Sequence, residues 1–341
     1  MAKLGYGIEH WSSPAWRAEA GAWIDAQLAG AGLARTGAVR QPHLRPWATV
    51  LSAPTSAGTV WLKAAGPATA FEIGFYELLG EVAPAGVLVP LAIDVERAWM
   101  LLPDGGEPLA ERFEGEELIA PFATALRRYG ALQRALAPHA DRMLELGIAD
   151  MRPTVLVQRF DEAVQAVGER VAADGSDEDR GALRRAAGMR GEVAAWCEQL
   201  AAAPGGVSVD HNDLHPWNVL AGGPTGEDVR FYDWGDCVVA HPFASMLEPL
   251  VFMQSTLSCA SGDPRLVTLR DAYLEAYADR APHAELVATL ELACRAAKIT
   301  RALTWDRLLR ALDPTDVDEQ WKRVPLQCLA ALAERSFVGS G

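Results

Sequence analysis

The sequence predicts an α+β protein of two lobes, in which a small antiparallel β-sheet lobe precedes a larger and mainly helical lobe. The chain has 341 residues, half of them hydrophobic, and this is longer than a chain that folds around a single core of usual size. Residues 36–102 alternate β-branched and aromatic side chains with turn formers, as strands and hairpins do. Beyond Pro108 the chain is rich in Ala, Leu, Arg and Glu at helical spacing.

The first lobe is predicted to begin with an amphipathic helix. Ser13 and Pro14 are typical of a helix start, and apolar residues recur at helical spacing over residues 16–28. Residues 30–32 (GAG) could be mistaken for a dinucleotide-binding loop, but they do not follow a strand. We interpret them as the end of the helix.

The rest of the first lobe is predicted to be a small sheet with one helix. Residues 47–51 and 59–63 have the pattern of a hairpin, and residues 71–79 place apolar side chains on one helical face. Residues 87–93 and 98–102 indicate two more strands.

The lobe boundary is expected at residues 103–106 (PDGG), which break this pattern with turn-forming residues. In the second lobe, residues 171–180 are expected to form an acidic polar turn between helices. Helices are predicted over residues 108–136, 155–170, 177–202, 264–278, 283–311 and 317–335.

Charge and cysteine content exclude several classes of function. The chain carries 31 Lys and Arg against 45 Asp and Glu, a net charge of −14, which repels nucleic acid and anionic membranes and mildly favours cationic small molecules. Its five cysteines contain no CxxC pair, which argues against a disulfide framework or a thiolate zinc site. Because the sequence has neither an apolar leader nor a run long enough to span a membrane, we expect a cytoplasmic protein.

In residues 205–245 the helical spacing of apolar residues is interrupted by a group of polar side chains. Asp213, Asn218 and Asp233 all carry oxygen atoms that suit a hard cation or accept a proton. A hairpin around the Gly-Gly-Pro turn would bring Asn218 and Asp233 close together. Two of the three side chains could then hold magnesium, which leaves Asp213 to orient a hydroxyl group and accept its proton during phosphoryl transfer.

A different interpretation of this segment starts from His211, Asp213 and His215. Their alternation would put all three on one face of a strand, as in a zinc or other transition-metal site. Pro216 favours a loop instead. We therefore prefer the interpretation with oxygen ligands.

Two motifs carry a resemblance to a known family. Residues 211–218 (HNDLHPWN) resemble the catalytic loop of the protein-kinase-like fold, and residues 233–235 (DWG) resemble its metal-binding triplet. The sequence is more similar still to the aminoglycoside phosphotransferase and choline kinase superfamily. That resemblance implies a bilobal protein-kinase-like fold: a nucleotide-binding lobe over residues 1–103, with a five-stranded sheet and an extra N-terminal helix, a hinge at residues 104–107, and a helical lobe with the catalytic loop and acceptor site over residues 108–341.

The resemblance also implies roles for residues of the second lobe. Asp213 would be the catalytic base, and His211 would brace its loop. Asn218 and Asp233 would ligate Mg²⁺.

In the first lobe, such kinases use a strand lysine to contact the nucleotide phosphates and a helix glutamate to hold that lysine. Lys63 matches the lysine. Glu72 is the preferred glutamate because it lies in the first turns of the helix, and Glu77 is the alternative. The turn expected between the first two strands, residues 52–58, contains a single glycine, so it offers no glycine-rich phosphate loop.

The implied function is a phosphotransferase that uses Mg²⁺ and ATP, or GTP, to phosphorylate a hydroxyl group of a small molecule. The negative charge favours a cationic acceptor, and we expect an aminoglycoside, an aminocyclitol or an amino sugar; a neutral sugar, a choline-like amine and a macrolide are also compatible. Asp236, Trp305 and Asp306 are candidates for the acceptor site, although core packing and a surface ion pair are the commoner roles of the last two types. Trp217 could shape the acceptor pocket or pack beneath the loop.

Two other functions remain open to the same sequence. A regulatory pseudokinase would bind nucleotide without transferring phosphate, but it predicts degraded catalytic positions, whereas Lys63, Asp213, Asn218 and Asp233 are all present. A metal-dependent hydrolase would use the histidine pair.

Overall fold

The structure is a computed structural model that describes residues 5–223 and 228–334. It confirms the α+β fold, with a β-sheet lobe followed by a mainly helical lobe. The helices are α1 (Ile8–Ser12), α2 (Pro14–Gly30), α3 (Phe71–Val82), α4 (Leu109–Arg112), α5 (Ile119–Leu136), α6 (Ala140–Glu145), α7 (Leu156–Asp174), α8 (Asp177–Gly188), α9 (Arg190–Ala202), α10 (Leu247–Leu257), α11 (Pro264–Leu274), α12 (His283–Ala311) and α13 (Glu319–Ala330). The strands are β1 (Arg40–Leu44), β2 (Ala48–Thr55), β3 (Gly58–Ala65), β4 (Ala92–Asp94), β5 (Trp99–Pro103), β6 (Glu107–Pro108), β7 (Ala149–Asp150), β8 (Ser208–Asp210), β9 (Val219–Gly222), β10 (Asp228–Phe231) and β11 (Val238–Ala240).

The N-terminal lobe is a five-stranded antiparallel sheet with the strand order β1-β2-β3-β5-β4. His43 pairs with Val50, Val50 pairs with Lys63, and Lys63 pairs with Met100. Directly paired residues of an antiparallel sheet share a face. One face of the sheet therefore carries Lys63 and His43 in the same row.

The opposite face of the sheet is covered by α2, the helix predicted at the start of the chain. The Ser13 hydroxyl accepts a hydrogen bond from the Trp16 backbone N–H at 3.2 Å and so caps this helix. Trp16 and Trp23 both meet the ring of Trp99 edge to face, with ring centroids 5.9 and 5.7 Å apart. Because successive residues of a strand point to opposite faces, Leu62 is buried against α2 while Lys63 points away from it.

Two edge strands differ from the sequence expectation. The sequence does not predict β1 (RQPHL), because three of its five side chains are exposed and it shows no apolar alternation. The strand expected over residues 87–93 is reduced to β4. Pro84 starts a short 3-10 turn before it, and Pro90 has no N–H to donate to a sheet ladder.

The expected turn over residues 52–58 is shorter than predicted and does not join the first two strands of the sheet. β2 continues to Thr55 and pairs with Gly58, which leaves a tight two-residue turn. Pro54 is tolerated in β2 because β1 pairs with it only as far as Ser52. The loop between the first two strands is instead residues 45–47, at the other end of the sheet.

The helical lobe also differs from the expectation. The helix expected over residues 108–136 is divided into α4 and α5, and that over residues 177–202 into α8 and α9. The short α6 was not predicted. α10 was not predicted, since it is short and has Pro249 in its first turn. The turn expected over residues 171–180 is present but shorter, because α7 continues to Asp174 and α8 begins at Asp177. Ser176 and Asp179 form a capping box at the start of α8, where acidic residues stabilise a helix.

The predicted hairpin of the second lobe is present as β9 and β10. Val219 pairs with Phe231, and Gly222 pairs with Asp228; residues 224–227 of the expected turn lie outside the described residues. β9 also pairs with β6, which follows the segment 104–106 between the lobes. Within the described residues, no helix combines the length and the apolar character needed to cross a membrane.

Candidate active site

A cleft of about 880 Å³ lies between the two lobes, and both lobes contribute to its walls. The upper wall is the sheet face that carries Lys63. The lower wall is formed by the loop between β8 and β9 and by the residues that follow β10. One end is closed by α12 and the other by the segment that follows β5.

Lys63 contacts one carboxylate from each lobe. Its Nζ lies 2.8 Å from Glu72 Oε1 on α3 and 2.6 Å from Asp233 Oδ1. Burial lowers the pKa of Lys63, but the charges of Asp233 and Glu72 outweigh this effect and raise it, so the ammonium group stays charged. Glu77, the alternative partner, is exposed.

Glu72 also fixes the segment that follows β10. It is completely buried, and its Oε1 accepts a hydrogen bond from the Trp234 N–H at 3.0 Å. Burial raises the pKa of Glu72 to about 7, although Lys63 lowers it. Asp233 adopts a left-handed backbone with φ of 63°, which is uncommon for a residue other than glycine. Its side chain is 50% exposed and lines the cleft.

Asp213 lies on the loop between β8 and β9 and lines the same cleft. The Asn218 Nδ2 group donates to the backbone oxygen of Asp213 at 2.8 Å and to its Oδ2 at 3.1 Å. His215 Nε2 lies 3.4 Å from that carboxylate oxygen. Burial raises the pKa of Asp213, but the contacts with His215 and Arg301 outweigh burial and hold it well below its usual range.

Buried polar residues fix the conformation of the loop between β8 and β9. Asp210 Oδ1 accepts hydrogen bonds from the Asn212 N–H at 2.7 Å and from the Ser245 hydroxyl at 2.8 Å. Asn212 has a left-handed φ of 60°, and its side chain donates to Thr304 of α12 at 2.9 Å. The position of Asp213 is therefore set by the core of the helical lobe.

His211 joins the two motifs. It is buried, and its Nε2 lies 3.0 Å from the carbonyl oxygen of Tyr232, the residue before Asp233. Burial lowers the pKa of His211, so the neutral ring donates this bond. In the part of the chain that the structure describes, no cluster of three or more His, Cys, Asp or Glu side chains is arranged to hold a metal, so the zinc interpretation gains no support.

Arg301 on α12 is a residue of the site that the sequence analysis missed. Its guanidinium group donates to the backbone oxygen of Asn212 and lies 3.4 Å from Asp213 Oδ1. Its Nε is 3.0 Å from Glu248 Oε1 on α10, and its other end lies 3.9 Å from Asp236 Oδ2. No local pattern distinguishes Arg301 from the other arginines of α12, and its partner helix was not predicted.

Two of the three acceptor-site candidates line the cleft, and the third does not. Asp236 and Trp305 are both on its wall, close to Asp213 and Arg301. Burial and the Asp213 charge raise the pKa of Asp236 to about 6. Trp217 also lines the cleft and is 45% exposed, so it does not pack beneath the loop.

Asp306 is turned away from Asp213. It is buried and makes ion pairs with Arg170 at 2.6 Å and with Arg310 at 2.7 Å. The structure therefore does not bring Asp306 together with the other candidate residues.

The loop of residues 45–47, which was also missed, borders the cleft near Lys63. Trp47 lines the cleft together with His43. The loop consists of Arg, Pro and Trp. It therefore contains no glycine that could approach a phosphate group closely.

The segment of residues 104–106 runs close to β9 between the lobes. A Cβ atom on Gly105 would lie 2.2 Å from Leu220 Cδ1, so a larger residue would displace that leucine side chain. Gly106 has a φ of 88°, and its N–H donates to Asp104 Oδ1 at 3.2 Å.

Asn218 and Asp233 both line the cleft and supply oxygen donors, one amide and one carboxylate. Mg²⁺ prefers oxygen ligands and commonly takes only one or two from the protein, with the rest from phosphate groups and water. The residues present therefore fit a magnesium ion that binds together with a nucleotide.

Comparisons with known proteins agree with this geometry. A profile of the phosphotransferase enzyme family matches residues 62–286, whereas no curated protein sequence matches significantly. Among solved structures, a macrolide 2'-phosphotransferase type I aligns with a TM-score of 0.55 at 17% identity, covering 96% of this chain and 99% of that one.

Two further structures share the fold. Choline kinase LicA from Streptococcus pneumoniae aligns with a TM-score of 0.59 at 11% identity, covering 92% of this chain and 99% of that one. Amicoumacin kinase hAmiN, solved in complex with AMP-PNP, Ca²⁺ and Ami, aligns with a TM-score of 0.56 at 13% identity over 95% of this chain and 96% of that one. These structures confirm the protein-kinase-like fold. Since the profile covers more than half of the chain, the protein belongs to the phosphotransferase enzyme family, as a phosphotransferase with the two-lobed fold of small-molecule kinases.

Proposed function

We propose that the protein transfers the γ-phosphoryl group of ATP or GTP, with Mg²⁺, to a hydroxyl group of a small cationic molecule. One observation carries this proposal. Lys63, Asp213, Asn218 and Asp233 come from two lobes and three separate segments, yet all line one cleft. A cation for phosphate, a carboxylate for a hydroxyl group and two oxygen ligands are the groups that phosphoryl transfer needs.

Asp213 is proposed as the catalytic base. Its contacts with Asn218, His215 and Arg301 hold the carboxylate charged and in a fixed orientation. A fixed carboxylate can orient the acceptor hydroxyl group toward phosphorus and accept its proton as the new bond forms. Because the transition state is loose, orientation contributes more than basicity.

Lys63 is proposed to contact the nucleotide phosphates, with Glu72 as the residue that holds it. The Glu72 carboxylate is fully buried and therefore fixed in place, whereas the Asp233 side chain is half exposed. Lys63 can therefore exchange Asp233 for a phosphate oxygen while it keeps Glu72. The segment of residues 104–107 is proposed as the hinge that binds the base of the nucleotide through its backbone.

Asn218 and Asp233 are proposed as the magnesium ligands. When bound, Mg²⁺ neutralises phosphate charge and bridges phosphate oxygens. Asn218 already orients Asp213 through its amide nitrogen, so its amide oxygen is the ligand atom that it would offer. This arrangement would link the position of the metal to that of the base.

The acceptor is proposed to be an aminoglycoside, an aminocyclitol or an amino sugar. Asp236 offers a carboxylate beside Asp213, and Trp217 and Trp305 offer aromatic faces in the same cleft. Carboxylates and aromatic faces both attract ammonium groups. Macrolides and choline-like amines fit the same description, in keeping with the names of the solved structures that share the fold.

A transfer assay tests the proposal. The purified protein is incubated with Mg-ATP or Mg-GTP and a panel of aminoglycosides, aminocyclitols, amino sugars, macrolides and choline, after binders have been ranked by the rise in melting temperature. We expect a phosphorylated product that requires both Mg²⁺ and the acceptor, with Asp213→Asn as the inactive control. Nucleotide binding without transfer to any acceptor would indicate a regulatory pseudokinase, and acceptor-independent release of phosphate alone would indicate a hydrolase.

A further inference from the structure

The two lobes also touch through a pair of tryptophans. Trp47, in the loop between β1 and β2, meets Trp321 of α13 nearly edge to face, with ring centroids 5.1 Å apart and an angle of 68° between the planes. Trp47 lines the cleft, and Trp321 belongs to the last helix of the helical lobe. This contact joins the loop between β1 and β2 to the helical lobe.

The backbone of Trp47 is tied to the strand that carries Lys63. The N–H of Gly66 donates to the Trp47 carbonyl oxygen at 2.8 Å, and a Cβ atom on Gly66 would lie only 2.9 Å from that oxygen. The next residue, Ala48, pairs with Ala65, which is two residues after Lys63. Trp47 therefore lies at the end of the cleft where Lys63 would contact phosphate groups.

On the other side, α13, which carries Trp321 in its first turn, packs on the helix that lines the acceptor site. Leu329 of α13 is fully buried, and the Lys298 ammonium group of α12 donates to the Ala331 carbonyl oxygen at the end of α13 at 2.7 Å. α12 is also the helix that carries Arg301 and Trp305. The aromatic pair thus connects the phosphate end of one lobe to the helix that lines the acceptor end in the other.

We propose that Trp321 is a positioning residue of the phosphotransferase reaction, acting through Trp47 to hold the loop of residues 45–47 closed over the phosphate end of the cleft. The inference rests on the proposed function. This loop has no glycine with which to wrap a phosphate group, so packing from the opposite lobe supplies the closure that a glycine-rich loop would otherwise provide. Closure excludes water from the transferred phosphoryl group and favours the acceptor hydroxyl group over hydrolysis.

The test compares Trp321→Leu, which keeps apolar bulk but removes the ring, with Trp321→Phe, which keeps a ring. An edge-to-face pair contributes about 2- to 12-fold to an equilibrium constant. We expect Trp321→Leu to raise KM for Mg-ATP by about that factor and to increase the ratio of ATP hydrolysis to transfer, with little change in kcat. Trp321→Phe should have a KM for Mg-ATP and a ratio of hydrolysis to transfer close to those of the wild type. Because the two tryptophans act as one unit, Trp47→Ala combined with Trp321→Leu should be no worse than Trp47→Ala alone.

Two controls separate positioning from folding. Lys322→Ala, at the exposed residue next to Trp321, should change neither KM for Mg-ATP nor the ratio of hydrolysis to transfer. The melting temperature of each variant shows whether the protein is folded. A wild-type KM and ratio in a folded Trp321→Leu variant, or additive effects in the double variant, would overturn the inference. If the wild-type protein transfers no phosphoryl group, the proposed function fails instead, and the nucleotide dissociation constants of the same variants still decide whether Trp321 holds the loop.

Discussion

Lys63 bridges Glu72 and Asp233, with its Nζ 2.8 Å from one carboxylate and 2.6 Å from the other. The two partners differ in burial, since Glu72 is fully buried and the Asp233 side chain is half exposed. A buried partner fixes the position of the lysine, and an exposed one can be replaced by a ligand. This asymmetry supports the proposed roles, in which Glu72 positions Lys63 and Asp233 binds a ligand.

Glu72→Gln should weaken the contact between Lys63 and nucleotide phosphates. The amide keeps an oxygen that can accept the Trp234 N–H but loses the charge that holds Lys63. Hydrogen bonds to charged groups contribute about 1.5–3 kcal/mol, so kcat/KM for Mg-ATP should fall at least about 10-fold in steady-state assays. Glu77→Gln on the exposed face of the same helix is the matched control, and an equal loss there would contradict the assignment.

Asp213→Asn should slow transfer strongly while nucleotide binding persists. The variant has nearly the same shape but no charge to accept a proton or orient the hydroxyl group. General-base catalysis contributes about 10²- to 10⁴-fold, so kcat should fall by that factor. The nucleotide dissociation constant, measured by calorimetry, should change only a few fold. Retained turnover would remove Asp213 from the role of base.

Asp233→Asn should remove the dependence of nucleotide binding on Mg²⁺. Mg²⁺ binds carboxylates more strongly than amides, so the gain in nucleotide affinity on adding Mg²⁺ should largely disappear in a titration with and without the metal. Asp236→Asn, three residues further along, is the matched control for nucleotide binding and should affect KM for the acceptor instead. An undiminished Mg²⁺ effect in Asp233→Asn would argue for other ligands.

Arg301→Gln should affect both stability and catalysis, and a second substitution separates the two. The loss of the guanidinium group leaves Glu248 without its 3.0 Å partner, and breaking a buried ion pair costs about 3–5 kcal/mol. Adding Glu248→Gln should recover much of this free energy of unfolding in urea titrations. The rate should not recover, because Asp213 is still unsupported; we expect kcat about 10- to 100-fold below wild type. Full recovery of kcat in the double variant would show that Arg301 is structural only.

That Lys63, Asp213, Asn218 and Asp233 come together could be predicted from the sequence because short motifs carry them. Asp213 and Asn218 lie in one loop, and the Lys63–Glu72 pair follows from a strand and the next helix. The contributions of Arg301 and Trp321 could not be predicted. Both lie on amphipathic helices whose spacing indicates only a buried face, and their partners are distant in the sequence.

The same reasoning explains the errors in the fold. The loop of residues 45–47 could not be predicted because β1 is exposed and lacks an alternating pattern of apolar residues. The sequence therefore gives no indication of the first hairpin of the sheet. The turn within residues 171–180 is shorter than its acidic composition suggests, because acidic residues are also favoured in the first turn of a helix such as α8.

His241 provides a test of stability against pH that is independent of the active site. Its ring is buried, with Nε2 3.0 Å from the Pro204 carbonyl oxygen and Nδ1 accepting the Phe243 N–H at 3.3 Å. Only the neutral ring with its proton on Nε2 satisfies both contacts, because protonation would set an Nδ1 proton against the Phe243 N–H. Burial accordingly lowers the pKa of His241 to about 4.

A lowered histidine pKa means that the unfolded chain takes up the proton first as the pH falls. The neutral His241 ring contributes fully to the free energy of unfolding at pH values above the ordinary histidine pKa near 6.5. This contribution is lost as the pH falls from there toward 4, and the loss is about 2 kcal/mol by pH 5. His241→Asn should therefore be less stable than wild type at pH 7.5, and the difference in the free energy of unfolding should shrink by about 2 kcal/mol at pH 5. Urea titrations of both proteins at these two pH values measure it, and parallel loss of stability in the two proteins would show that another group titrates.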